Sequence, residues 1–250
     1  MPTYNRRQFV PRAIDYFLKQ DYANRELIVV DDGTDPIDDL LPVDERIHYV
    51  RLDQKLTTGA KLNLACTHAR GEIIARWDDD DWYAPRRLTY QVDALADDGI
   101  YICGSNRLLY YNLETGRAYE YQYPQQQRMW LLGSTLCFRK KFWETHRFIE
   151  QNVGEDARFV WKADPHRVLP LQDHAFAVHM IHQRNVSPKN VDGSWWHPYP
   201  TEAIAEILGA DWEFYKHDRE PIVVSENREP VLLPVAAPVR NVFACLVHEN

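Results

Sequence analysis

The run Asp78-Asp79-Asp80-Asp81 constrains this chain more than any other stretch. It follows Ile73-Ile74-Ala75-Arg76-Trp77 and precedes Trp82. Four adjacent carboxylates repel one another, so a positive partner is required beside them. A hard divalent cation bound through carboxylate oxygens meets that need. The apolar run behind Gly71 reads as a short buried strand. Pro85 suits the first turn of a helix with Leu88, Val92 and Leu95 on one face. The acids then occupy a strand-to-helix loop at the carboxyl end of a strand, where open α/β sheets bind ligands. A solvated acidic turn is the plainer alternative. The flanking tryptophans and the buried strand weigh against it.

The first hundred residues alternate helix and strand. Asn5 is a candidate cap for a helix with Phe9, Ala13, Ile14, Phe17 and Leu18 on its apolar face, and Pro11 is tolerated in its first turns. Leu27-Ile28-Val29-Val30 is a buried strand ending at Asp31-Asp32-Gly33, and Ile47 to Val50 is another. Gly59 to Ala69 reads as a helix. Such alternation implies a mostly parallel sheet flanked by helices, an α/β class. In a parallel sheet Asp31-Asp32 and the four-Asp run emerge on the same side and face one cleft. No Gly-x-Gly-x-x-Gly turn is present, which argues against a nicotinamide enzyme.

Beyond Gly99 the chain turns to shorter strands, a smaller β-region. Arg107 to Tyr111 and Arg117 to Tyr123 form a hairpin across Asn112–Gly116. Gly133 to Phe138 reads as a strand. A helix opens at Gly154-Glu155-Asp156, and acids in a first turn are commonly caps. Ala175 to Ile181 is a strand that carries His179 and leads to His182. Ser187 to Tyr199 reads as a mobile lid, with Trp195 and Trp196 as the acceptor-side candidates. Thr201 caps a helix that ends at Gly209. Residues 1–216 thus make one domain. Residues 217–250 read as a Pro-rich linker leading to the apolar run Val242–Val247, the first strand of a further domain or an edge docked on this or a neighbouring chain.

Composition narrows the partners. A net charge of −8 over 250 residues argues against nucleic acid. No apolar run is long enough for a membrane span, and Met1-Pro2-Thr3-Tyr4 is not a signal peptide. Cys66, Cys103, Cys137 and Cys245 lack metal-site spacing and read as buried thiols, which suits the cytoplasm.

Five stretches occur in a telling order: Pro2-Thr3-Tyr4-Asn5-Arg6, Val29-Val30-Asp31-Asp32-Gly33, Ala69-Arg70-Gly71-Glu72-Ile73-Ile74, Asp78-Asp79-Asp80-Asp81-Trp82 and Gly154-Glu155-Asp156. Over about residues 1–185 the chain resembles family 2 glycosyltransferases of the GT-A fold. Asp156-Ala157-Arg158-Phe159-Val160-Trp161 is similar to the spore-coat polysaccharide synthesis branch. The resemblance implies an inverting transferase that moves a sugar from a nucleotide-diphosphate sugar, UDP-sugar foremost, to a hydroxyl of a glycan or other acceptor, with Mn²⁺ or Mg²⁺. It implies nucleotide-sugar contacts from Pro2, Thr3, Tyr4, Asp31, Asp32, Asp78, Asp79 and Asp80, and metal ligation by Asp80 and Asp78. Asp156, with Glu155 beside it, matches the catalytic base. Lys61 stands one place before the position where an Arg is often found, and it becomes the phosphate candidate. His182 matches a third metal ligand in some relatives. His179, three residues away, should face the other side. The strand expected ahead of the first helix is nearly absent, so the chain is expected to be a domain cut from a longer protein or to begin at a late start codon. Alternatives remain: a nucleotidylyltransferase, which would want a Gly-rich basic loop near Tyr4, or a metal hydrolase on a similar sheet, and an inactive glycan- or nucleotide-binding module that keeps the fold.

Overall fold

The computed structural model describes residues 1–216, so the linker and the run Val242–Val247 lie outside the described residues. The elements in chain order are β1 (Pro2–Thr3), α1 (Val10–Leu18), β2 (Leu27–Asp31), β3 (Ile47–Arg51), α2 (Thr58–His68), β4 (Ile73–Ala75), β5 (Trp82–Tyr83) and α3 (Arg87–Ala94). They continue with β6 (Ile102–Gly104), β7 (Arg107–Asn112), β8 (Ala118–Gln122), β9 (Cys137–Arg139), α4 (Lys140–Thr145) and α5 (Glu155–Val160). The last are β10 (Val168–Pro170), β11 (Ala177–Ile181), β12 (Trp196–Tyr199), α6 (Thr201–Leu208) and α7 (Trp212–Tyr215).

The expected parallel set is β1-β2-β3. A second sheet runs β10-β6-β9-β4, and a third runs β12-β8-β7-β11-β5, both with mixed pairing. Alternation along the strands explains the layering. Leu27, Val29, Ile73 and Ala75 face a core filled by Val10, Ile14 and Phe17 of α1 and Leu88 and Val92 of α3. Ile28, Val30 and Ile74 face the opposite core, filled by Leu62 and Cys66 of α2, Phe142 and Trp143 of α4 and Phe159 of α5. Leu88, Val92 and Leu95 are buried together as the helical spacing requires.

Several local expectations are corrected. Asn5 does not cap α1, whose N-cap position is Phe9. Asn5 instead takes a left-handed φ of 54°. Its side-chain oxygen accepts from the backbone N–H groups of Thr34 (2.8 Å) and Asp35 (3.2 Å), which pins the loop after β2. The Gly133–Phe138 strand begins only at Cys137, because Gly133–Thr135 is a 3₁₀ turn. Thr201 is the first residue of α6 rather than its cap, and Pro200 holds the cap position. The lid is partly a strand, since Trp196–Tyr199 pairs antiparallel with β8. The four-Asp run does not lead straight into a helix. It joins β4 of the second sheet to β5 of the third, and α3 follows.

Among the described residues, no helix is long and apolar enough to cross a membrane. Cys66, Cys103 and Cys137 are buried free thiols, as expected; Cys245 lies outside the described residues.

Candidate active site

The acid run sits where sheets meet, and that placement opens a cavity of about 810 Å³. Its walls include Pro2, Thr3 and Tyr4 from the first sheet, Asp78–Asp81, and Glu155 and Asp156 from the start of α5. One strand end and a helix start, far apart in sequence, therefore present their acids to one space, whereas Asp31 and Asp32 at the end of β2, expected to face the same cleft, are not in its walls.

Asp78, Asp80 and Asp81 each bring one carboxylate oxygen within 4.8 Å of the others. An all-oxygen donor set of this charge fits a hard divalent cation. The surrounding protein already balances much of the negative charge. The Arg6 guanidinium lies 2.5 Å from Asp80 and 3.5 Å from Asp79. His182 Nε2 lies 3.1 Å from the same Asp80 oxygen, and its ring stacks on Phe9 at 4.7 Å. Asn185 also reaches Asp80, at 3.4 Å. Burial opposes ionisation of Asp80, but the bonds from His182 and Arg6 outweigh it and hold the carboxyl below its usual range. Asp79 moves the other way: burial first, and then the charge of Asp80, push its carboxyl up. Adjacent acids thus divide into one kept ionised and one that holds its proton more readily.

Asp81 is fastened from behind. His179 Nδ1 meets its Oδ2 at 2.6 Å, and the Met180 N–H donates to its Oδ1 at 3.1 Å. Both histidines therefore reach the acid run, each on a different aspartate, whereas their spacing led one to expect His179 on the other side; His179 lines the cavity and His182 does not. His182 touches Asp80 but stands outside the three-carboxylate cluster.

Arg76 ties the two halves together. Its guanidinium donates to Asp78 at 3.0 Å and to Glu155 at 2.8 Å. Burial alone would lower its pKa, but Asp78, Glu155 and Asp156 raise it further, so it stays charged. Glu155 is only 3% exposed, and its carboxyl is raised chiefly by burial, with Arg76 pulling against that shift. Next to it, Asp156 keeps some exposure to the cavity. The Gly133 N–H donates to its Oδ2 at 3.0 Å, and the Ala157 N–H to its Oδ1 at 2.7 Å. A Cβ at Gly133 would lie 2.3 Å from the Arg76 guanidinium, so a side chain there would displace Arg76 from its place between Asp78 and Glu155. The N-cap of α5 is Gly154 at φ 81°, a left-handed conformation suited to glycine.

Other expected residues fall into different places. Asp31 is fully buried, accepts from the Gly33 N–H (2.8 Å) and the Tyr49 hydroxyl (2.7 Å), and does not line the cavity. The last strand residue is thus held within the packing of the first sheet. Asp32 accepts from the Leu56 N–H at 2.7 Å and from Lys61 Nζ at 2.7 Å. Lys61 lines the cavity, but its ammonium is engaged by Asp32 and by the Thr3 carbonyl (3.1 Å) rather than presented to the space. Tyr4 carries Lys55 over its ring, 3.6 Å from the centroid.

The two tryptophans do not line this cavity. Trp196 packs on Tyr110 at 4.7 Å and Tyr121 at 5.0 Å, and Trp195 lines a separate cleft. Trp130 is the tryptophan in the cavity wall. Sequence reasoning assigned no role to Arg6, Arg76, Asn185 or Trp130. Arg6 alone had a signal, its place in the first motif.

The comparisons agree with this architecture. The family model for Glycosyl transferase family 2 matches residues 1–162. WcaA of Escherichia coli (strain K12), provisionally named a colanic acid biosynthesis glycosyl transferase, is 42% identical over 94 residues, 36% of this chain and 34% of its own. TuaG of Bacillus subtilis (strain 168), provisionally named a teichuronic acid biosynthesis glycosyltransferase, is 32% identical over 101 residues, 38% of this chain and 40% of its own. The matches thus span well under half the length of these curated relatives. Among solved structures, the mannosyltransferase PcManGT from Pyrobaculum calidifontis, in complex with GDP-Man and Mn²⁺, aligns with a TM-score of 0.57 at 20% identity. It covers 74% of this chain and 56% of that one. S. aureus TarS 1-349 in complex with UDP aligns with a TM-score of 0.56 at 21% identity, over 72% of this chain and 59% of that one. The structural likenesses carry the fold, the sequence match carries the ancestry, and on both grounds the chain belongs to glycosyltransferase family 2 and has the GT-A fold.

Proposed function

We propose that this chain transfers a glycosyl group from a nucleotide-diphosphate sugar to a hydroxyl of a glycan acceptor, with inversion at the anomeric carbon. One observation carries the reading: Asp156 and the Asp78–Asp81 carboxylates face one cavity of about 810 Å³. The nucleotide lies along Pro2, Thr3 and Tyr4, with Asp32 and Lys61 supporting that wall from below. Asp78 and Asp80 would hold Mn²⁺ or Mg²⁺, with His182 beside Asp80. That cation supplies charge neutralisation for the departing diphosphate.

The chain's own groups do the rest. Asp156 is oriented by the Gly133 and Ala157 N–H groups and takes the proton from the acceptor hydroxyl. The hydroxyl oxygen then displaces the diphosphate directly, and the diphosphate leaves with the bonding electrons. Arg76 keeps Glu155 and Asp78 in register, so Glu155 is a positioning residue rather than a second base. Arg6 and His182 preserve the ionised form of Asp80. UDP and GDP-Man, named in the TarS and PcManGT complexes, mark the donor classes, and UDP-sugars are placed first. The names of WcaA and TuaG support a role in polysaccharide biosynthesis. Reduced buried cysteines support a cytoplasmic setting.

Calorimetric titration with UDP- and GDP-sugars, with and without Mn²⁺, tests the donor and the metal together. Binding that depends on the cation is expected. NMR of the product's anomeric proton tests inversion, and a retained configuration would overturn the direct displacement.

A further inference from the structure

A second cleft, of about 630 Å³, opens beside the third sheet. Its wall includes Trp195, Tyr123, Arg107, Gln122 and Gln125. Trp195 is 40% exposed, which leaves a large aromatic surface in contact with water. The polar groups around it are held in advance. Glu120, only 7% exposed, accepts from Arg107 and from the Gln122 amide, both at 2.5 Å, and His174 lies 3.2 Å from it. Arg107 nevertheless keeps half of its side chain exposed.

This cleft is connected to the main cavity by rings. Trp130 stands in the wall of the main cavity. Tyr123 lies 5.1 Å from Trp130, and Trp195 lies 5.8 Å from Tyr123. Tyr121 meets the row edge-on, 5.9 Å from Trp130 and 6.1 Å from Trp195. A continuous aromatic track therefore leads out of the cavity that holds Asp156.

We propose that the second cleft binds the distal part of a neutral oligosaccharide acceptor, whose near end reaches Asp156 along this track. The assignment of an acceptor rests on the proposed transferase function, while the glycan site itself stands on the cleft. Three features select the ligand. Flat aromatic faces suit the C–H faces of pyranose rings. Planar amide and guanidinium groups suit pairs of hydroxyls, which donate and accept. The Arg107 charge is matched by Glu120, so neither a nucleic-acid backbone nor a polyanionic chain gains a free cation here. The acceptor class is thus an oligosaccharide or polysaccharide end, in preference to a monosaccharide.

The test uses the full chain and a panel of neutral hexasaccharides of hexose and N-acetylhexosamine, each with its monosaccharide. Titration calorimetry should show binding of at least one hexasaccharide, with its monosaccharide at least tenfold weaker. Trp195→Ala should lose about tenfold or more in that affinity, the usual cost of truncating an aromatic anchor. Trp195→Phe should recover most of it, and both variants should bind nucleotide as the parent does. The loss on Trp195→Ala should persist at the same size in an Asp156→Asn background, so a failed base assignment cannot be mistaken for a failed cleft. Absence of binding across the panel, equal affinity of monosaccharide and hexasaccharide, or an unaffected Trp195→Ala variant with parental nucleotide binding would overturn the proposal.

Discussion

Replacing Arg76 by Met should cost this domain much of its stability, and the cost should depend on pH in a defined direction. The Arg76 guanidinium is 9% exposed and bridges Asp78 and Glu155, whose side chains are 26% and 5% exposed. Removing one partner of a buried ion pair costs about 3–5 kcal/mol, because the other charge is stranded. Glu155 has an escape, which is to take up a proton. From an unfolded pKa near 4.3, that uptake costs about 3.7 kcal/mol at pH 7, which bounds the penalty from Glu155. A loss of about 3–4 kcal/mol is therefore expected at pH 7, or roughly 6–15 °C in melting temperature for a domain of this size.

Glu155 is already raised in the parent, chiefly by burial, and Arg76 opposes that shift. Without Arg76 its folded pKa rises further above the unfolded one. A carboxyl raised on folding contributes stability that is full below its unfolded pKa and is lost as pH rises through its folded pKa. The penalty should therefore shrink as pH falls, by at most about 1.4 kcal/mol per unit. Thermal melts of parent and variant at pH 7 and pH 5 measure it. A second change, Glu155→Met, removes the stranded charge and should return at least half of the loss at pH 7. A variant within 2 °C of the parent at pH 7 (about 1 kcal/mol or less), or a penalty equal at both pH values, would refute the reasoning.

Asp80→Ala should abolish cation-dependent donor binding, as read by calorimetry with and without Mn²⁺ at a temperature where the variant is folded; stranding the buried Arg6 guanidinium should also lower its melting temperature. Asp156→Asn should retain donor affinity and lower turnover by about 100-fold or more in a transfer assay, the usual worth of a general base. Gly59→Ala should destabilise the domain by about 1–3 kcal/mol in a denaturant melt. A Cβ at that position would lie 1.9 Å from the Ile149 carbonyl oxygen, and backbone cannot step aside as a flexible side chain can.

Much of the sheet layering was written in local pattern. Leu27–Asp31 and Ile73–Ala75 are apolar on both faces, so they had to lie between two packed layers, and helices supply both. The order of acids after those strands and at the start of α5 was equally visible. Periodicity could not show that β5 intervenes before α3, because a strand of two residues has no period to read. Nor could it separate Asp31 from Asp32, adjacent acids of which one points into the sheet and the other meets Lys61. The pairing of Trp195 and Trp196 failed for the same reason: neighbours at a strand edge face different surroundings, and one lines a cleft while the other packs on tyrosines. The ion pairs were out of reach altogether. Arg6 meets Asp80 across 74 positions, and Arg76 meets Glu155 across 79. Local sequence determines which face of an element is apolar and where charge accumulates. Which charge answers which is decided only when packed sheets bring distant chain ends within a few ångströms, and short-range chemistry carries no record of that distance.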